Sequence, residues 1–157
     1  MDTHFDEVLL TFTAERKQLF EFVSLLQREQ NALVENTTDE LLDLAEQKSV
    51  QALGLNKFVE TRNTLLHKHI GQLNAHSINT WLQQKSPPAL ALWQEILQLG
   101  QQARQLNHSS GELIQMKLRH NQQALSALGN AVNKANLYGP DGQTSFSTGG
   151  GRTITSA

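Results

Sequence analysis

Acid–base or metal chemistry in this chain would have to come from its six histidines and 15 carboxylates, because it has no cysteine. Absent cysteine excludes disulfides, thiolate metal sites and thiol nucleophiles. A di-iron helical bundle uses Glu-x-x-His, which sends both ligands inward from one helix face. No glutamate here has a histidine three residues on. His4 and Glu7 have the reverse spacing, at a chain end that frays. His67 and His69 stand two apart, so on a helix they face different directions and make poor co-ligands. They read as solvent-facing or seam-edge residues. Ser109-Ser110-Gly111 lacks the G-x-S-x-G frame of a nucleophile elbow. No G-x-x-x-x-G-K-[ST] or G-x-G-x-x-G occurs, and Gly149-Gly150-Gly151 is a linker composition. The residues predict no enzyme, no metal and no cofactor.

Composition narrows the class further. With 13 Lys+Arg against 15 Asp+Glu, the formal charge of −2 gives no global field toward nucleic acid or anionic lipid. The start, MDTHFDEVLL, is acidic and lacks the basic and apolar regions of a signal peptide. No apolar run approaches the ~20 residues of a membrane span. The expectation is a soluble, cytoplasmic protein.

The elements that position any site are helices. From Phe5 the apolar pattern steps by four and three through Leu9, Phe12, Leu19, Val23, Leu26 and Leu33, interrupted only by Arg16 and Gln30. Val8, Phe20, Phe22 and Leu25 widen this stripe. Asn36-Thr37-Thr38-Asp39-Glu40 breaks the helix, with Thr37 and Glu40 spaced as a capping box. A second stripe runs from Leu41 through Ala45, Lys48, Ala52, Leu55, Val59, Arg62, Leu66 and His69 to Leu73. Gly54 within it predicts tight packing or a bend. Arg16, Gln30, Lys48 and Arg62 read as snorkelling or register-setting residues. Asn74, His76, Ser77 and Asn79 favour turns around a short helical corner plug at Ile78-Trp81-Leu82.

Ser86-Pro87 then opens a third long helix, Ser86 as N-cap and Pro87 first in the helix. Its seam reads Trp93, Leu97, Gly100, Arg104, Asn107, Gly111, Ile114, Leu118, Asn121, Leu125, Leu128, Val132 and Ala135. A kink is expected near Gly100 or Gly111, with His108-Ser109-Ser110-Gly111 as its place. Polar or minimal side chains at Asn107, Gly111 and Asn121 either fix register or leave a groove for a foreign amphipathic helix. Gly139 and Pro140 stop the helix after Tyr138, and Pro140-Asp141-Gly142 suits a type I turn. Tyr138, the only tyrosine, either packs on the last helical turn or serves as an aromatic anchor.

The expected fold is all-α: an elongated antiparallel bundle of three long helices plus a short connecting helix, with heptad seams. Helices are placed at about 3–35, 38–71, 76–84 and 87–136. Residues 1–137 form the bundle, and 138–157 form a motif and a disordered Gly/Ser/Thr-rich tail.

Three stretches carry a family resemblance. R-x-L-N-x-x-x-G-x-L-I at 104–114, H-N-Q-Q-A-L at 120–125 and L-Y-G-P-D-G-Q-T-S at 137–145 resemble the FlgN family of flagellar type III export chaperones. The run Asn107-His108-Ser109-Ser110-Gly111 and His120 depart from the family's usual residues. The resemblance implies a cytoplasmic chaperone that binds C-terminal segments of the hook-associated proteins FlgK and FlgL. It would prevent their premature polymerisation and deliver them to the export gate. Client binding would fall to Asn107, Gly111, Ile114, Leu118, Asn121, Leu125, Leu128 and Val132. Tyr138, with Gly139, Asp141 and Gly142 shaping its turn, would dock on the cytosolic domain of the gate protein FlhA. No metal, cofactor, nucleic acid or membrane insertion is implied. The alternative from a different class is a homodimeric coiled-coil scaffold or adaptor with no export client.

Overall fold

The computed structural model describes residues 3–137, with side chains from 5 to 134. Every element in it is a helix: α1 (Thr3–Glu35), α2 (Thr38–His67), α3 (Ala75–Lys85) and α4 (Pro87–Leu137). The three long helices and the short connecting helix form the expected all-α bundle. Two compact units divide between Leu113 and Ile114, inside α4. The unit of residues 1–113 holds the core.

Local chemistry sets the helix ends. α1 stops at Asn36, whose φ of 59° is left-handed, a conformation asparagine tolerates better than most residues. The Thr37 N–H then donates to the Ala32 carbonyl at 3.0 Å, the six-residue bond of a Schellman ending. Thr37 does not cap α2 as its spacing with Glu40 suggests. Its hydroxyl donates to Glu40 Oε2 at 3.3 Å and lies 3.4 Å from the Ala32 carbonyl, and it accepts no capping N–H from α2. The C-terminal closure of α1 claims this residue first. α2 ends at His67 rather than near residue 71. The Lys68 and His69 N–H groups bond three residues back, to Leu65 and Leu66, and the tightened turn leads Ile70 and Leu73 onto the core.

The turn-formers expected at 74–79 build a start for α3. The Asn74 side chain accepts from the Ser77 N–H at 2.8 Å, and Ser77 Oγ accepts from the Asn74 N–H at 3.0 Å. Ile78 and Leu82 are buried as the corner plug requires. Trp81 stacks on Phe5 and on His69, with ring centroids 5.4 and 5.1 Å away. Ser86 is extended, as a residue before proline must be, and its Oγ accepts from the Ala89 N–H at 3.3 Å to cap α4.

One cluster joins all four helices: Val8 and Phe12, Leu65 and Leu66, Ile78 and Leu82, Trp93 and Ile96. Beyond it the core splits into two seams that share α1. Val23 and Leu26 pack with Ala103 of α4, whereas Leu25 and Ala32 pack with Leu44 of α2. α1 therefore needs an apolar face wide enough for two neighbours, which is why its stripe is broad. α1 and α2 are antiparallel. α4 runs alongside α1 in the same direction, since Phe12 meets Trp93, Arg16 meets Glu95 and Leu26 meets Ala103.

Three of the four polar residues interrupting the seams pair across helices. Arg62 pairs with Glu15, Lys48 with Glu29 at 3.2 Å, and Arg16 with Glu95 at 2.8 Å. Glu15 and Glu29 are 14 residues apart, and so are Lys48 and Arg62, two heptads on each strand of the α1–α2 hairpin. A slip of one turn would break both pairs together. Gln30 has no ion pair among the described residues. Gly54 is neither tightly packed nor at a break: α2 passes through it, and a Cβ there would meet nothing within 4 Å.

Candidate functional site

The seam read along α4 starts in the core at Trp93 but beyond it runs one residue out of phase with the core. Burial follows Ala89, Trp93, Ile96 and Ala103 to Ser110, while Leu97, Arg104, Asn107 and Gly111 are exposed. Two apolar rows overlap in this helix, about 100° apart, and Leu106 rather than Asn107 packs against Val23 and Leu26. The polar and minimal residues at Asn107 and Gly111 are thus not substitutes for core leucines. α4 is helical without interruption from 100 to 111, with no break at His108-Ser109-Ser110-Gly111. Glycine is tolerated because the intrahelical bonds do not require a side chain there.

In the unit that begins at Ile114, the predicted residues form a single helical face. Ile114, Leu118, Asn121, Leu125, Leu128 and Val132 step by four and three, which keeps them within one stripe of an α-helix. All are exposed: Ile114 by 44%, Leu125 by 67% and Val132 by 50%. Five aliphatic side chains on one face therefore lie uncovered around a single asparagine. Asn107 and Gly111 are exposed in the other unit. Tyr138, Gly139, Asp141 and Gly142, together with the expected tail, lie outside the described residues.

The unit of residues 1–113 has a cleft of its own between α1 and α4, of about 630 Å³. Phe20 and Leu99 form its apolar surface, and Arg16, Lys17 and Glu95 its charged rim. None of the predicted site residues lines it. Among the described residues no group of three or more His, Asp and Glu could hold a metal ion. No helix there is long and apolar enough to cross a membrane.

The most perturbed titratable groups are the Glu15–Arg62 pair, whose side chains are 3% and 13% exposed. Burial pushes the Glu15 carboxyl above the usual carboxylate range against the opposing pull of Arg62. Burial also lowers Arg62, against the raising effect of Glu15. The guanidinium lies 5.0 Å from the Trp93 ring centroid, a cation–π contact. A buried ion pair in a cleft would be a catalytic candidate, but this one lies between packed helices and has no access for a substrate. Its role is structural. Sequence reading singled out the basic partners and missed Glu15, Glu29 and Glu95, although the matching 14-residue spacing was available.

Comparison with known proteins places this helical architecture. A family model described as FlgN protein matches residues 1–145. The chain belongs to the FlgN family. Among FlgN relatives, the flagella synthesis protein FlgN of Yersinia enterocolitica is 40% identical over 79 residues, 50% of this chain and 53% of the relative. That of Escherichia coli K12 is 43% identical over 63 residues, 40% of this chain and 45% of the relative. The Salmonella typhimurium protein is likewise 43% identical over 63 residues, 40% and 44% of the two chains. The aligned part thus spans about half the length of these FlgN relatives. No solved structure matches the chain.

Proposed function

We propose that this FlgN-family chain is a cytoplasmic, non-enzymatic export chaperone of flagellar assembly. It binds C-terminal segments of the hook-associated proteins FlgK and FlgL, keeps them from polymerising early, and delivers them to the export gate. The observation that carries this reading is the uncovered stripe of Ile114, Leu118, Leu125, Leu128 and Val132. Contiguous apolar surface of this kind marks interaction sites more than it does solvent-facing helix. A helical client segment laid along it would be held by its i, i+3, i+4 and i+7 side chains. Such a segment is disordered when alone, and ordering it on binding costs ~2–5 kcal/mol of the gross interaction, which keeps the complex releasable. Support also comes from the family and from relatives named as flagella synthesis proteins.

Tyr138, on its Gly139-Pro140-Asp141-Gly142 turn, is the proposed contact to the cytosolic domain of FlhA. Isothermal titration of the full chain with a C-terminal segment of FlgK tests the client assignment. Saturable sub-micromolar binding, lost in Leu125→Asp, is expected. No heat from the segment, with a stable homodimer, would replace this reading with that of a coiled-coil scaffold.

A further inference from the structure

The chain's charge is divided unevenly along its length. Residues 1–112 hold nine of the 13 cations and 14 of the 15 carboxylates, a net −5. Residues 113–137 hold Lys117, Arg119 and Lys134 and no carboxylate, a net +3. The last carboxylate before the stripe, Glu112, lies 3.2 Å from His108 and so faces back along the helix. An uncovered apolar stripe is thereby set in the stretch of α4, residues 113–137, whose only charges are positive. We propose that the segment docking on the 114–132 face is an amphipathic helix whose apolar heptads are bordered by glutamate or aspartate rather than by lysine or arginine. This rests on the docking reading above and specifies the chemistry of its occupant.

Complementary charge does two things at such a surface. It raises the rate of encounter, and it discriminates among helices that share the same apolar pattern. Leucine heptads alone would accept almost any amphipathic helix, whereas a stretch of net +3, with Lys117 beside the stripe, disfavours those with basic borders. The same argument weighs against a second copy of this chain as the occupant. Two copies joined through this face would bring six cations together with no carboxylate among residues 113–137 of either. In addition, the positions bordering the stripe on its two sides, Gln115, Lys117, Gln122 and Ala124, supply no opposite charges to pair across such a dimer.

The test uses the full chain and two synthetic helical peptides of about 25 residues, long enough to cover the stripe. They share one set of leucine heptads and differ only in having glutamate or lysine at the bordering positions. Fluorescence anisotropy at about 50 mM and about 500 mM salt reads electrostatic preference, because screening shortens from ~14 to ~4 Å over that range. The glutamate peptide should bind about tenfold more tightly at low salt, and the advantage should shrink at high salt. The triple variant Lys117→Glu/Arg119→Glu/Lys134→Glu, its helicity checked by circular dichroism, should reverse the preference.

Equal binding of both peptides, abolished for each by Leu125→Asp, would overturn this inference and leave the docking reading standing. Failure of both peptides and of the FlgK segment to bind would overturn the two together. A homodimer that Leu125→Asp dissociates would overturn the choice of occupant.

Discussion

At Glu15 and Arg62 two charges sit in the core for reasons of pairing, and their energetics can be separated. Removing one partner leaves the other buried and uncompensated, so Arg62→Met should cost ~3–5 kcal/mol of unfolding free energy in urea titration. Replacing both, as Glu15→Leu/Arg62→Met, should return stability close to that of the parent, because burying two charges offsets much of their attraction. The pH dependence follows from burial raising the Glu15 carboxyl above its ordinary value of 4.5. A raised acid favours the fold in its protonated form. Its contribution is fully present below the unfolded value and is lost as pH rises through the folded one. The stability of the parent relative to Glu15→Gln should therefore fall as pH is taken from below 4.5 toward neutrality. Unfolding titrations of both proteins across that range measure it. Ser110 is a second buried polar residue, 1% exposed, whose hydroxyl has no hydrogen-bond partner among the described residues. Ser110→Ala should stabilise by about 1 kcal/mol, since alanine leaves no unsatisfied hydroxyl and favours helix.

At the scale of the element, α1 is the helix on which the others pack, and α2 and α4 each lie on a different part of its apolar face. Register between α1 and α2 is fixed by the paired ions two heptads apart, in addition to side-chain shape. α3 depends on its start: the reciprocal Asn74–Ser77 bonds satisfy N–H groups that the helix itself cannot. Asn74→Ala should cost about 1 kcal/mol, read by thermal melting. Gly54 and Gly100 lie within helices with open space where a Cβ would stand. Each glycine leaves the unfolded chain more freedom to lose, so Gly54→Ala and Gly100→Ala should each stabilise by ~0.5–1 kcal/mol. A measured loss of stability at either would reveal a partner that needs the bare backbone.

Across the whole molecule, apolar side chains fall into a buried group and an uncovered one. Trp93 belongs to the cluster that joins all four helices, with its ring centroid 5.8 Å from that of Phe12. Trp93→Ala should lower stability by ~3–5 kcal/mol. Leu125, on the face beginning at Ile114, is exposed by 67% and touches no core cluster. On the proposed chaperone reading, Leu125→Asp should leave the melting temperature nearly unchanged while abolishing binding of the FlgK segment, so calorimetric melting and titration together separate core from proposed docking surface. On the proposed chaperone reading, Tyr138→Ala should leave folding and client binding intact and weaken capture of the client-loaded chain by the cytosolic domain of FlhA. Equal affinity with and without the ring would remove the residue from that role.

Helix existence and fold class were legible in the sequence because each follows from local rules. Four-and-three spacing marks an amphipathic helix, and Ser86-Pro87 marks a start that no distant contact has to create. The interrupting cations were likewise recognisable as register devices. What a linear pattern could not decide was which neighbour each face meets. Along α4 two apolar rows overlap, and only packing against Val23 and Leu26 selects the row through Leu106 and Ser110 over that through Asn107 and Gly111. Thr37 had the spacing of a capping residue, but the ending of α1 and the start of α2 compete for it, and the shared turn is settled by geometry. Glu15, Glu29 and Glu95 gain their cationic partners only when α2 and α4 are brought against α1. Periodicity is a property of one helix, and burial is a property of two.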